Sequence, residues 1–160
     1  MIYRTTVLRG AWTATLGNWL FLDHPDREPY SLRQAAELIG REFRLEGAWL
    51  RVYQLLQAAG HLPRSTESKI EPATPALVSR FIIGLLTDAA GLIKAEGSPI
   101  LADGKSVTLE SGKPAPPLSD IIANGLRFGV PPFDEVELCP SQSWARVSSP
   151  GGAPQTFMLV

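Results

Sequence analysis

Five side chains in one short stretch have the chemistry to read a nucleic acid: Arg41, Arg44, Arg51, Gln54 and Gln57. Arginine grips a guanine edge through two hydrogen bonds or a phosphate through one, and glutamine pairs with the edge of adenine. That chemistry needs a scaffold presenting several such groups along a single protruding face. The segment Tyr30–Leu62, YSLRQAAELIGREFRLEGAWLRVYQLLQAAGHL, contains the pattern of one.

Ser31 is a suitable N-cap, because its hydroxyl accepts from an otherwise orphaned backbone N–H. Leu32, Ala35, Ala36 and Ile39 follow at three- and four-residue spacing, so a helix is expected to about Ile39 with one apolar face. Gly40 is expected to end it in the left-handed conformation. Arg41–Gly47 then reads as a polar turn. A second helix is expected from about Ala48 to Ala59, with Trp49, Val52, Leu55, Leu56 and Ala59 as its buried stripe and Gly60 as its stop. The whole reads as a helix-turn-helix, in which the first helix braces the second and the second offers its outer face to the major groove. The turn is longer than the three or four residues usual for such a motif, and Glu42 and Glu46 within it repel phosphates. The alternative is an ordinary helical hairpin with a solvated polar face.

The segment also resembles the helix-turn-helix at the end of phage antirepressor proteins, on Ala35, Ala36, Gly40, Val52, Leu56, Gly60 and Leu62. LLQAAGHLP followed shortly by TPALVSRFIIGLL is similar to a group of small phage and prophage proteins that pair such a motif with an apolar helix and a C-terminal domain. The resemblance implies a regulatory or DNA-associated protein of phage type.

Downstream, Thr74 is placed to cap a third helix, with Pro75 at its first position. Leu77, Val78, Phe81, Ile82, Leu85, Leu86 and Ala89 give that helix a wide apolar face, which makes it a main source of core. Asp103-Gly104, between Ile100–Ala102 and Ser106–Leu109, suits a tight hairpin turn. Leu118–Phe128 has helical spacing, whereas Asp134–Leu138, Trp144–Val147 and Gln155–Val160 read as strands. Upstream, residues 2–22 carry two periods: Tyr3, Thr5 and Val7 alternate as in a strand, while Leu8, Trp12, Leu16 and Leu20 recur as in a helix. A short strand or arm followed by an aromatic-rich packed segment is the preferred reading. The expected class is α+β, with a helix-turn-helix region over 1–70 and an α+β region over 71–160 ending in a small β-hairpin region, the two forming one compact unit.

Composition limits the partners. The 160 residues carry a net charge of -1, so no strong overall field steers the chain toward nucleic acid. Residues 1–69 hold nine Lys/Arg against seven Asp/Glu, and residues 70–160 hold six against nine. The slight basic excess therefore lies with the helix-turn-helix pattern. One cysteine, Cys139, excludes an intrachain disulfide and favours a reducing compartment. No apolar run approaches the roughly 18 residues of a membrane span. The opening stretch mimics a signal peptide but lacks a clear small-x-small cleavage site. A cytoplasmic protein without membrane contact is expected.

Catalytic and metal constellations are thin. Gly104-Lys105-Ser106 resembles the end of a phosphate-binding loop, but the required upstream glycine is replaced by Pro99. His24, His61 and Cys139 are too few and too scattered for a zinc site, and there is no Gly-x-Ser-x-Gly elbow. Asp134, Glu135 and Glu137 read as solvated charge. Trp12, Trp19, Trp49 and Trp144 read as core aromatics before an aromatic platform. The leading expectation is a non-enzymatic DNA-binding or transcription-regulating protein without cofactor. The alternative is a protein-interaction module, including a homodimer, or a structural protein with no nucleic-acid contact.

Overall fold

A computed structural model describes residues 6–23, 26, 28–58, 60–64, 70–89, 106–108, 114–115, 118–139, 144–149 and 154–159. The two periods of the N-terminal stretch are used in succession. Strand β1 (Thr6–Arg9) gives way directly to helix α1 (Gly10–Gly17), which continues as a π-helical turn, Asn18–Leu22. Helix α2 (Leu32–Glu42), helix α3 (Trp49–Ala58) and helix α4 (Pro75–Ala89) follow. After them come β2 (Ser106–Thr108), β3 (Pro114–Ala115), helix α5 (Leu118–Phe128), β4 (Glu135–Cys139), β5 (Trp144–Ser148) and β6 (Gln155–Leu159). The fold is α+β, as expected.

The strands form one six-stranded sheet in the order β1-β4-β5-β6-β2-β3, with every pairing antiparallel. The C-terminal hairpins are thus the middle of a sheet whose edge strand comes from residues 6–9. The expected turn at Asp103-Gly104, with Ile100–Ala102, lies outside the described residues. Strand β2 has β3 on one edge and β6 on the other. Leu8, Val136, Leu138, Ala145 and Val147 are buried. Between them, Arg9 faces Glu135, and Glu137 faces Arg146, across neighbouring strands. Glu135 and Glu137 therefore share the polar side of the sheet, as period-two alternation requires.

Helix α4 is the central element. Thr74 Oγ1 accepts from the Leu77 N–H at 3.3 Å, so the expected cap is present. Val78, Ser79 and every residue from Phe81 to Leu86 are buried, leaving little room for a solvent face. Helix α4 packs against α2, α3, α5 and β1. Ser79 is satisfied inside this packing by donating to the Ala76 carbonyl at 2.7 Å. A single cluster of buried side chains runs from Leu8 to Val147, continuous across residue 70.

Glycine is used where backbones touch. A Cβ at Gly10 would collide with the Phe133 carbonyl oxygen, and one at Gly17 with the backbone of Leu126. These contacts seat α1 on α5 and on the turn before β4. Asn18 Nδ2 then donates to the Gly129 carbonyl at 3.3 Å, at the point where a left-handed Gly129 ends α5.

Candidate nucleic-acid interface

The hairpin starts from a capping box. The Gln34 N–H donates to Ser31 Oγ at 3.1 Å, and the Ser31 N–H donates to Gln34 Oε1 at 3.0 Å. Backbone bonds from Leu32 N–H to Glu71 O and from Ala73 N–H to Tyr30 O, both 2.9 Å, tie the start of α2 to the approach to α4. Leu32, Ala35, Ala36 and Ile39 are buried as their spacing requires.

The end of α2 differs from expectation. Gly40 does not stop the helix but lies buried inside it, and a Cβ there would sit 2.6 Å from Trp49 Cβ. Its small size lets α3 approach α2. The stop is Arg44, with φ of 57°, in a Schellman arrangement: Leu45 N–H bonds to Gly40 O at 2.7 Å and Arg44 N–H to Arg41 O at 3.0 Å. A non-glycine residue there costs about 1–2 kcal/mol. Arg44→Gly is expected to raise stability by about 1 kcal/mol, read as a higher denaturant midpoint. A lower midpoint would show that the Arg44 side chain holds the turn. Helix α3 ends with the same bonds, on the expected glycine: Gly60 has φ of 84°, and His61 N–H reaches Leu56 O at 2.9 Å.

The connection between the helices spans residues 43–48. Val52, Tyr53 and Leu56 are buried on α3, Trp49 and Leu55 are half-buried, and Ala59 lies outside the described residues. Tyr53 is the residue the spacing argument missed, although 49, 53 and 56 follow helical intervals. It packs edge-on against Phe81, with ring centroids 6.2 Å apart, and against Trp49 at 6.5 Å. Burial raises the pKa of its phenol; Arg33 pulls the other way and Glu71 adds to the rise.

The five sequence-derived residues fall into three groups. Arg51 and Gln54 are exposed, three positions apart on the outer face of α3. Arg41 and Arg44 are exposed at the end of α2 and in the turn, where Arg41 Nη2 pairs with Glu37 Oε1 at 3.0 Å. With both partners in solvent, this pair is worth under about 1 kcal/mol and is easily exchanged for a phosphate. Gln57 is half-buried and donates to the Pro63 carbonyl at 3.1 Å, which fastens the exit from α3. Glu42, the last residue of α2, and Glu46, in the connection, are exposed and oppose the arginines.

Comparison with family models, with characterised proteins and with solved structures gives no match to this chain. The functional reading rests on its own residues.

Other chemistry finds little support among the described residues. No group of three His, Cys, Asp or Glu side chains is placed to hold a metal ion. Cys139 is buried, and the backbone of His61 serves the helix end, with its carbonyl accepting from Arg80 Nη1 at 3.2 Å. His24, Gly104 and Lys105 lie outside the described residues. No helix among them is long and apolar enough to cross a membrane.

Proposed function

We propose that the α2–turn–α3 unit binds double-stranded DNA and that the chain is a non-enzymatic, cytoplasmic regulatory protein of phage type. The carrying observation is the division of α3 into two faces. Val52, Tyr53 and Leu56 anchor one face against the rest of the fold, while Arg51 and Gln54 project from the other. Arg41 and Arg44 flank this face and supply phosphate contacts, and Gln57 holds the exit turn. Neither Arg51 nor Gln54 is spent on filling the core, so both suit base-edge contacts.

Selection from a random double-stranded DNA library, at low and then physiological salt, tests this reading. Retained DNA should share a motif. On that motif, Arg51→Ala should weaken binding about fivefold to a hundredfold while circular dichroism stays unchanged. No retention at low salt, or full affinity in a folded Arg51→Ala protein, would overturn it. A second reading, a protein partner or second copy on the same face, is favoured by Leu50, which is 37% exposed beside Arg51. Binding that resists added salt would select this second reading, because phosphate contacts weaken steeply with salt.

A further inference from the structure

A cleft of about 370 Å³ opens beside α1, lined by Trp12, Thr15, Leu16, Trp19 and Glu42. We propose that it binds an alkylated ammonium group. Trp12 and Trp19 are seven residues apart, about two helical turns or 10 Å along the axis, on one side of the helix. Thr15 and Leu16 lie between them in the chain and line the same cleft.

Both indoles pack against a second aromatic ring. Trp12 packs on Phe43 with ring centroids 4.4 Å apart at 31°, and Trp19 meets Tyr30 at 6.2 Å and 53°. Thr15 Oγ1 donates to the Ala11 carbonyl at 3.0 Å, so its hydroxyl proton is already engaged on the helix. Among the described residues no Lys, Arg or His lines the cleft, and the one formal charge they bring to it is the exposed carboxylate of Glu42. The neighbouring Arg41 is turned to Glu37 instead.

The occupant's chemistry follows by elimination. Anions are repelled by Glu42. A hard metal ion needs several oxygen ligands, and one carboxylate is too few. A neutral apolar guest gains nothing from the carboxylate. A weakly hydrated organic cation uses every wall, through cation–π attraction to the indoles and charge pairing with Glu42. Trp12 and Trp19 lie on α1 and its π-helical continuation, outside the proposed DNA face, whereas Glu42 follows the phosphate contact Arg41, so the indole signals are the readout that separates the two readings.

The test titrates the full chain with choline chloride at constant ionic strength and follows the indole N–H signals by NMR. The neutral isostere 3,3-dimethylbutan-1-ol is run in parallel. Choline should shift the Trp12 and Trp19 signals and bind at least about fivefold more tightly than the alcohol. Glu42→Gln, at an exposed position, should keep the fold and lose about fivefold in choline affinity. A short trimethyllysine peptide distinguishes the source. Tighter binding than choline assigns a protein side chain, and weaker binding assigns a free small cation. Equal affinity for choline and the alcohol, unchanged affinity in folded Glu42→Gln, or no shift at either indole would each overturn the proposal.

Discussion

Gly17→Ala is expected to lower the unfolding free energy by about 3 kcal/mol or more, although alanine is the better helix former by about 1 kcal/mol. A new Cβ would meet the Leu126 carbonyl oxygen and lie 2.7 Å from Leu126 Cα. These are backbone atoms of α5, which cannot rotate aside as a side chain would. Relief requires α1 to move off α5, taking Leu16 and Leu20 out of their packing. Gly47→Ala is the matching control, because nothing lies within 4 Å of its added Cβ. Denaturant unfolding of the two variants should give a large loss for the first and a change within about 0.5 kcal/mol for the second. A Gly17→Ala protein as stable as its parent would show that α1 does not rest on α5 at this point.

Phe81→Ala should cost a comparable amount, about 3–5 kcal/mol. Phe81 is fully buried on α4, and its ring meets Tyr53 edge-on. Truncation removes one of the contacts by which α4 holds α3, beside that of Leu56 at Gly84, and it leaves a cavity between the hairpin and the body. Phe128→Ala supplies the comparison within one residue type, since Phe128 is 65% exposed. Its effect should stay within about 0.5 kcal/mol. Thermal or denaturant unfolding distinguishes the two, and equal losses would contradict the central position of α4.

Local signals in the sequence carried much of this architecture. The hydroxyls of Ser31 and Thr74 cap helices where their positions suggested, and Leu118–Phe128 is helical over its expected span. These features depend on neighbours within four residues, which a sequence displays directly. Pairings over long distances left no such trace: nothing near Leu8 indicates that Val136 will lie opposite it. The exchange of roles between Gly40 and Arg44 was hidden for a related reason. Glycine serves both as a left-handed stop and as a close-contact residue, and only the seat of Trp49 decides between them. At the candidate interface, the exposure of Arg51 and Gln54 follows from helical spacing alone. The bond from Gln57 to Pro63 depends on how the chain leaves α3, which spacing does not encode.

The seating of α1 on α5 also sets a timetable. Asn18 and Gly129, which join where these helices end, are 111 positions apart. A ribosome adding about 5–20 residues per second needs roughly 6–22 s to make the intervening chain. During that interval α2, α3 and the start of α4 can assemble from near neighbours, while Leu16 and Leu20 have nothing of α5 to cover them. The newborn chain thus carries a helix whose α5-facing side is still uncovered, and the last third of synthesis closes that exposure.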